Sequence, residues 1–548
     1  MANLKRQPAG VARNASEKAA PPREDGGQGR LRRIFLLGSA FSSGAAIMIL
    51  ELAGNRILAP WFGNSLYTWT GLIGVLLISL SMGYYLGGYL ADRWSNYTLL
   101  AHLLIGAALA TMFVPVLQTG MESSLSAADV MGGPIVATAL LLAIPACLLA
   151  AVSPFTVKLL SLLSADRKVG ISAGAVGMSA TLGSVLGTFS SGFVLIPHFG
   201  LRVIFCGVGA ILGLLAVAGY LLFSPALRRS KAAMPIVLAV FGLAAAAALQ
   251  NKELPSTILY EQTTFYHRIR VIEAPTKAGD RVRQLFLDST PEGAQFVRSR
   301  EVPVDYQQSW ELSRVFFSKL NHAAFLGGGA LTMPEALLDV FPECHADVAE
   351  IDPAVIDVGR AYFRADQYPR LHTVADDARR FLHAASQRYE LIVGDVYHGV
   401  RSIPPHLATI EFFNLVRRRL TDDGVYMMNV CSAVEGEHSA VFRAITATLQ
   451  QAFPRVYVFA AFPDRPAALQ NVILVASARD LQIASQAAAG RGRNAVLDRF
   501  FHGYLDQRRY SLAAAPILRD DCNPLEYLVA KSLSADETQG PQRDEPRQ

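Results

Sequence analysis

The sequence predicts two unlike halves: an N-terminal all-α polytopic membrane bundle and a C-terminal α/β domain with a Rossmann-like, doubly wound sheet. Two observations support this prediction. Residues 34–249 consist of long apolar runs with few charges, whereas the rest of the chain has ordinary polarity and alternating strand and helix patterns. Residues 322–352, HAAFLGGGALTMPEALLDVFPECHADVAEID, read as a strand, a glycine turn, a helix and a second strand that ends in a carboxylate.

The first half is expected to cross a bilayer about seven times, because each apolar run approaches the roughly 20 residues that the hydrocarbon core requires. The runs lie at residues 34–52, 68–91, 98–118, 130–152, 171–196, 203–223 and 234–249. Small residues recur inside them, as in Gly83, Gly87 and Gly88 or Gly183, Gly187 and Gly192, which is typical of closely packed helices in lipid. Residues 1–33, with eight basic and three acidic side chains, predict a disordered cytoplasmic tail, and residues 536–548 a second disordered tail.

The composition excludes several classes of site. The five cysteines have no CxxC spacing and no disulfide framework, so no metal site and no disulfide is predicted. The net charge of +5 comes largely from the tail and one set of loops, and basic residues do not alternate with aromatic ones. Nucleic acid is therefore not an expected partner.

The second half is expected to contain two parts. Residues 255–315 include the β-rich runs ILYEQTTFYHRIRVIE and VRQLFLDS, which predict a small β-hairpin subdomain. Residues 316–535 predict the Rossmann-like domain, with helices near 333–341, 353–363 and 409–419 and a late strand pair, VYVFAA and NVILVAS. In its first βαβ unit, Gly327, Gly328 and Gly329 let the backbone approach a ligand, and Glu350 can accept hydrogen bonds from two ribose hydroxyls. The unit therefore predicts a nucleoside site.

The order of several motifs resembles the polyamine aminopropyltransferases, the spermidine synthase family, and in particular bacterial forms fused to a multi-span membrane domain. The motifs are YHRIRV, LFLD, DYQQ, FLGGG, EIDP, ADD, YELIVGD and LRDDCNPLEYLVA, with ELAGNRILAPWFG and the helices after it in the membrane half. The resemblance implies a class I methyltransferase-type fold. It also implies transfer of an aminopropyl group from decarboxylated S-adenosylmethionine to an amine.

The resemblance assigns roles to individual residues. Glu350 would bind the ribose hydroxyls, Asp376 would accept from the adenine amino group, and Asp395 would be the catalytic carboxylate. Tyr306 and Gln307 match a substrate-facing pair, in which the Tyr306 hydroxyl would direct the lone pair of the amine. The resemblance also implies that Asp377 and His267 belong to the nucleoside site and that His398 belongs to the amine-substrate site.

Each of these residues also has a structural interpretation. Asp395 could cap the loop after its strand, Asp376 could be the N-cap of the following helix, and Tyr306 with Gln307 could simply pack at a domain junction. His398 could be a solvated loop residue or a base near neutral pH.

The chain also departs from the family pattern. Ala330 stands where the family has an aspartate after the glycines, and DVYHG replaces a DxxDP-like pattern, so that His398 replaces the second aspartate.

Three functions remain open at this stage. The first is a membrane-anchored aminopropyltransferase-like enzyme, and the second is a methyltransferase that uses intact S-adenosylmethionine. The third is a transporter with a nucleoside-sensing domain, for which Glu51 and Arg56 are ionisable groups at or near membrane depth; an ion pair between them, or helix-end snorkelling, would explain them as well. Expected partners are the lipid bilayer and a small-molecule amine, and a homodimer is left open.

The orientation in the membrane is predicted from the basic residues. Arg93, Lys158, Lys168 and Arg228 lie in alternate loops on the side of the tail, which predicts a cytoplasmic N-terminus in an inner membrane. Seven crossings would then place the soluble domain outside, away from the cytosolic supply of sulfonium nucleosides that the family resemblance implies. A cytoplasmic soluble domain is nevertheless expected, with residues 234–249 lying in the interface without crossing.

Overall fold

The structure is a computed structural model that describes residues 27–121, 131–163, 168–223, 242, 255–276, 279–299, 301–397, 402–489 and 494–536. Six long helices form the N-terminal bundle: α1 Gly27–Phe62, α2 Leu66–Arg93, α3 Tyr97–Gly120, α4 Gly133–Leu163, α5 Val169–Ser190 and α6 Leu201–Phe223. Helix α5 continues through a π-helical turn, Ser191–Leu195, into a last helical turn, Ile196–His198.

The bundle matches six of the predicted spans. Within the described residues, six helices are long and apolar enough to cross a membrane. The seventh predicted span, 234–249, lies outside the described residues apart from Gly242. Helix α1 begins at Gly27, so the last residues of the segment predicted as a disordered tail are helical. Extending an existing helix by a few residues needs no new nucleation, which accounts for this difference.

Some glycines bring the helices into backbone contact. A Cβ added to Gly83 or Gly87 would lie 2.2 Å from a backbone oxygen of Cys147 or Ala151, and one added to Gly183 would lie 2.0 Å from that of Phe41. These positions pack α2 on α4 and α5 on α1, as close packing in lipid requires. The predicted pattern is too broad, because at Gly88 and Gly192 an added methyl would meet no atom within 4 Å.

The bundle has two ends, which we call the tail face and the docking face. At the tail face Phe35, near the start of α1, contacts Tyr97 at the start of α3 and Phe223 at the end of α6. At the docking face the α1–α2 corner meets the C-terminal half: Arg56 Nη1 donates to the Tyr266 carbonyl, and the Leu66 amide donates to Glu526. Phe35 and Arg56 are separated by about 30 Å along α1 at the usual rise per residue. The C-terminal half therefore docks on the end of the bundle opposite to the start of α1 and the end of α6.

The C-terminal half begins with a four-stranded antiparallel sheet. Its strands are β1 Ile258–Thr263, β2 Arg268–Pro275, β3 Arg281–Leu287 and β4 Thr290–Phe296, in the order β1-β2-β3-β4. Strand β4, TPEGAQF, extends the β-hairpin that the sequence predicts. A 3-10 helix, Tyr306–Leu312, and a short helix, α7 Ser313–Phe316, then lead into the second sheet.

The second sheet has eight strands in the order β12-β10-β11-β9-β8-β5-β6-β7. The strands are β5 His322–Leu326, β6 His345–Glu350, β7 Leu371–Ala375, β8 Tyr389–Gly394, β9 Leu420–Ser432, β10 Arg455–Ala460, β11 Gln470–Ser477 and β12 Tyr504–Leu505. The helices of this part are α8 Thr332–Val340, α9 Pro353–Phe363, α10 Ala378–Ala384, α11 Ile410–Arg419, α12 Ala440–Ala452, α13 Ile483–Ala489, α14 Ala495–His502 and α15 Leu525–Asp536.

The sheet is Rossmann-like but mixed. Strands β5 to β9 pair in parallel, and the order reverses at β5, which lies between β6 and β8. Strand β11 pairs antiparallel with both β9 and β10, so the doubly wound prediction applies to the parallel part alone. Ligands in such sheets bind at the carboxyl ends of the strands beside the reversal, here the ends of β5, β6 and β8.

Candidate functional site

The glycine turn after β5 forms the floor of a cavity of about 390 Å³. Gly327 has φ +91°, and a Cβ there would lie 2.2 Å from the Asp395 carbonyl oxygen. Gly329 has φ +47°, and its Cβ would lie 2.5 Å from the Glu292 carbonyl oxygen. A side chain at either position would be strained and would also clash with backbone. The triple glycine is therefore required by the close approach of β4, β5 and β8.

Glu350 at the end of β6 lies against this turn. Its Oε2 accepts from the Gly328 amide at 2.9 Å, and its Oε1 accepts from the Asp352 amide at 3.0 Å. The side chain is 7 % exposed and lines the cavity. Burial raises the pKa of this carboxyl group, while the two amides favour its ionised form. The carboxylate is held in one orientation, as recognition of two neighbouring hydroxyls requires.

Asp395 follows β8 on the opposite side of the glycine turn. Its amide donates to the Leu326 carbonyl at 2.9 Å, and its Oδ1 accepts from Asn429 Nδ2 at 3.1 Å. Burial raises the pKa of Asp395 to about 6, although the Asn429 amide opposes this shift. The side chain is partly exposed to the cavity, so it is not buried as a cap of the next loop. A carboxyl group with this pKa is mostly ionised at neutral pH and can accept a proton there.

The predicted pair Tyr306 and Gln307 divides between core and cavity. Gln307 is buried and lines the cavity, and its Nε2 donates to the Glu292 carbonyl at 3.1 Å. Tyr306 packs against the apolar core and does not line the cavity, although the charges of Asp395 and Glu292, together with burial, raise its pKa. The tyrosine that does line the cavity is Tyr397, whose hydroxyl donates to the Asn429 carbonyl at 3.0 Å. The role of Tyr306 in directing an amine stays a prediction.

Glu292 on β4 is a site residue that the sequence did not single out. It lines the cavity, and within the described residues its carboxyl group has no hydrogen-bond partner and no ion pair. Burial, together with the charges of Asp395, Glu350 and Asp288, raises its pKa to about 8. The neighbouring Gly293 lies so close to Ala330 that an added Cβ would be 2.4 Å from the Ala330 methyl. Strand β4 thus places a carboxyl group beside the position where Ala330 replaces the aspartate of the family pattern.

Asp376 and Asp377 lie at the end of β7, and both line the cavity. The helix cap is Asp377, because its Oδ1 accepts from the Arg379 and Arg380 amides and its Oδ2 pairs with His406 at 2.8 Å. The bond to His406 lowers the pKa of Asp377. The capping interpretation therefore applies to Asp377 rather than to Asp376, whose Oδ1 lies 3.3 Å from Arg380 Nε. Contact with an adenine amino group remains a prediction for Asp376.

His267 borders the cavity from the loop between β1 and β2. Its Nδ1 lies 3.0 Å from Asp288 Oδ2. Burial alone would lower the pKa of His267, but the hydrogen bond to Asp288 and the charges of Asp288, Glu350 and Asp352 raise it. The imidazole is therefore protonated more readily than that of a free histidine, and it lies close to Glu350. His398, predicted to contact the substrate, lies outside the described residues.

The α1–α2 corner of the bundle contributes Arg56 and Asn64 to the cavity wall. The Arg56 guanidinium stacks 4.7 Å from the centre of the Phe265 ring, and Nη1 donates to the Tyr266 carbonyl at 3.2 Å. Among the described residues Glu51 and Arg56 form no ion pair. Arg56 instead joins the two halves of the chain, a contact between residues 210 positions apart.

The charges around the cavity are unevenly balanced. Asp377 is paired with His406, and Glu350 is held by backbone amides. Glu292 has no partner among the described residues, and Asp395 has a single neutral one, the Asn429 amide. The cavity can therefore accept positive charge near the glycine turn. No group of His, Cys, Asp or Glu in the described residues has the arrangement of a metal site.

Comparison with known proteins agrees with this arrangement. Residues 314–484 match the model of the family described as "Spermine/spermidine synthase domain". The polyamine aminopropyltransferase of Vibrio vulnificus is 29% identical over 205 residues, which are 35% of this chain and 65% of that protein. The chain thus spans somewhat less than two thirds of the length of this relative.

Two further relatives differ in coverage. Polyamine aminopropyltransferase 2 of Aquifex aeolicus is 22% identical over 403 residues, 71% of this chain and 77% of that protein. The mouse eEF1A lysine and N-terminal methyltransferase is 32% identical over 143 residues, but these are 24% of this chain and 20% of that protein. The findings support a spermidine synthase-like domain in the C-terminal half and a transferase at family level.

Proposed function

We propose that the protein transfers an aminopropyl group from decarboxylated S-adenosylmethionine to an amine. One observation supports this most directly: Glu292 and Asp395, two carboxyl groups that have no cationic partner among the described residues, lie beside the same glycine turn as Glu350 and line the same cavity. A ligand that satisfies these groups carries a ribose for Glu350 and positive charge for Glu292 and Asp395. Decarboxylated S-adenosylmethionine carries a sulfonium and a primary ammonium, and therefore fits.

The chemistry assigned to the chain is positioning and proton acceptance. Glu350 and His267 would hold the ribose, and Glu292 would hold the ammonium of the aminopropyl chain, so that the carbon beside the sulfonium faces Asp395. The amine nitrogen attacks this carbon, the carbon–sulfur bond breaks, and its electron pair stays on sulfur to give the neutral thioether methylthioadenosine. Asp395 accepts the proton that the amine loses. Orientation and carboxylate electrostatics supply most of the acceleration, because the sulfonium leaves without acid assistance.

The methyltransferase alternative is less well supported by the same groups. Intact S-adenosylmethionine carries an additional carboxylate on the chain that decarboxylation leaves as a simple aminopropyl group. That carboxylate would lie in a cavity that already holds Asp395, which is mostly ionised at neutral pH, and like charges at short distance are unfavourable. The similarity to a lysine methyltransferase over 143 residues still makes methyl transfer the second candidate.

The activity test uses the full-length protein in detergent with a set of amines. With decarboxylated S-adenosylmethionine we expect methylthioadenosine and an amine that is heavier by one aminopropyl group, detected by mass spectrometry. A methylated product formed from intact S-adenosylmethionine would favour the second candidate. Saturable nucleoside binding without any product would favour a sensing domain attached to a transporter.

The orientation proposal changes with the structure. The tail face carries the start of α1 and the end of α6, whereas the soluble domain docks on the docking face. If the bundle spans a bilayer, this docking favours the N-terminus and the soluble domain on opposite sides, which differs from the prediction of both in the cytoplasm. The interfacial placement predicted for residues 234–249 lies outside the described residues. We keep the soluble domain in the cytoplasm of an inner-membrane protein, because its proposed co-substrate is made there.

This choice places the basic tail face outside, against the positive-inside rule. Alkaline phosphatase fused at Gln250 tests it directly. We expect an inactive fusion, and an active one would place the soluble domain outside the cytoplasm. A fusion at Arg30, before the apolar part of α1, should give the opposite result. The lipid bilayer and a small amine remain the proposed partners, and a homodimer remains a prediction.

A further inference from the structure

The nucleoside side of the cavity is bounded by both halves of the chain. Phe265 and Tyr266 lie in the loop between β1 and β2. Both side chains are exposed, and both residues contact Arg56 of α1. In the same loop, Thr264 Oγ1 donates to Asp352 Oδ2, and the Asp352 amide donates to Glu350 Oε1. A short series of contacts therefore connects Arg56 with the predicted ribose carboxylate.

Asn64, between α1 and α2, is fixed in an orientation suited to donation. Its Oδ1 accepts from Asn55 Nδ2 and from Trp69 Nε1, both at 2.8 Å. Since both hydrogen bonds use the oxygen, the amide nitrogen of Asn64 remains to donate to a ligand, and the residue lines the cavity. Within the described part of the chain no partner of this nitrogen is recorded.

The charge of Arg56 also suits this place. Asp288 and Asp352 are the carboxylates whose charges act on Arg56, and both lie beside the loop that carries His267. Without the guanidinium this side of the cavity would hold Asp288, Glu350 and Asp352 with His267 facing them. Arg56 therefore places a positive charge beside the carboxylates of Asp288 and Asp352.

We propose that the α1–α2 corner is part of the nucleoside-binding site, so that an adenosine bearing a sulfonium or thioether binds between the membrane bundle and the soluble domain. Asn64 is the ligand-contacting residue of the corner, and Arg56 is a positioning residue that acts through the loop of Thr264 to His267. The inference rests on the proposed function, because it takes Glu350 as the ribose acceptor. Binding and docking are then linked: the nucleoside strengthens the contact of the two halves, and the contact strengthens nucleoside binding by the same factor.

The test measures the affinity of full-length protein in detergent for methylthioadenosine by calorimetry. Asn64→Asp keeps the oxygen that Asn55 and Trp69 donate to, but removes the amide donor. We expect Arg56→Ala and Asn64→Asp each to weaken binding about tenfold, the size of one hydrogen bond to a ligand group. Arg56→Lys should weaken it less, because the charge is kept. The control is Arg93→Ala, an arginine that stacks on Trp94 at the opposite end of the bundle, and it should bind as the wild type.

Hydrogen exchange supplies a second readout that a folding defect would not mimic. In the wild type, methylthioadenosine should slow amide exchange at residues 62–68 of the corner as well as at the glycine turn. In Arg56→Ala the glycine turn should still be protected at saturating nucleoside, and the corner should not. Wild-type affinity in both corner variants, with no protection of residues 62–68, would overturn the inference. Absence of nucleoside binding in the wild type would instead overturn the proposed function.

Discussion

Replacing Glu292 by glutamine separates recognition of the aminopropyl ammonium from recognition of the nucleoside. The amide keeps the size and polarity of the side chain and removes its charge. A hydrogen bond between ionised Glu292 and an ammonium would contribute about 1.5–3 kcal/mol. The carboxyl group has a pKa of about 8, so at pH 7 it must first lose its proton, which costs about 1.4 kcal/mol.

Subtracting the cost of ionising Glu292 from the contribution of its hydrogen bond gives the expected loss of binding free energy in the variant. At pH 7 the variant should lose up to about 1.5 kcal/mol, or roughly tenfold in Kd for decarboxylated S-adenosylmethionine. Near pH 9 the cost of ionisation vanishes, and the loss should grow to roughly 10–150-fold. The sign follows from the raised pKa: the wild-type site gains affinity for the cation as pH rises through about 8, and the variant does not.

The assay is calorimetry at pH 7 and pH 9 with decarboxylated S-adenosylmethionine and with methylthioadenosine, which has no aminopropyl group. Methylthioadenosine should bind the variant within about twofold of the wild type, since it makes no charged contact with Glu292. Glu301→Gln, an exposed carboxylate shortly after β4, is the matched control. Equal losses for both ligands, or a loss that does not grow with pH, would refute the reasoning.

Three other outcomes follow from the site. Asp395→Asn should lower the rate of methylthioadenosine release by about 100-fold or more, because an amide cannot accept the amine proton, while nucleoside affinity stays within about threefold; wild-type turnover would remove Asp395 from the mechanism. In the wild type, turnover should fall about tenfold per pH unit below the pKa of Asp395, which is about 6, since the group becomes protonated there; a flat rate down to pH 5 would contradict its role as base. Gly327→Ala should lower the free energy of unfolding by about 2–4 kcal/mol through strained φ and the clash with the Asp395 carbonyl. In thermal denaturation, Gly279→Ala, which also has positive φ but no atom within 4 Å of its added Cβ, should be affected less.

The sequence predicted the parts of the site that depend on local order. Gly327 to Gly329 follow β5 directly, and Glu350 ends the next strand, so the βαβ unit alone places them together. Asp395 was assigned by resemblance, and its place fits, because β8 is an apolar run that ends at the same edge of the sheet. The helices near 353–363 and 409–419 were also placed within a residue of their observed bounds.

The residues that were missed or misplaced depend on contacts between distant segments. Glu292 lies on β4 of the small sheet, and its importance follows from the packing of that strand against Ala330, which no periodicity shows. Tyr306 was assigned a substrate-facing role by resemblance; in the structure it packs beside the core, and its hydroxyl accepts from Gln307 Nε2. Arg56 was assigned a membrane role because the sequence does not show that the soluble domain docks on the α1–α2 corner.

The antiparallel direction of strand β11 was missed for a different reason. NVILVAS is a continuous apolar run, and such a run does not indicate whether a buried strand pairs in parallel or antiparallel with its neighbours. Its direction is set by the connection from β10, which returns beside β9 after a short loop and therefore reverses the chain. The strand pair itself was predicted from its composition, but its direction was not.

The most direct measurement of the central claim is calorimetric titration of the full-length protein with decarboxylated S-adenosylmethionine, intact S-adenosylmethionine and methylthioadenosine under one set of conditions. The account predicts that all three bind through the ribose carboxylate and that the decarboxylated form binds at least about tenfold more tightly than the intact one, because Asp395, which is mostly ionised at neutral pH, disfavours the additional carboxylate. Tighter binding of the intact form would contradict aminopropyl transfer. No saturable binding of any of the three to folded protein would contradict the nucleoside site itself.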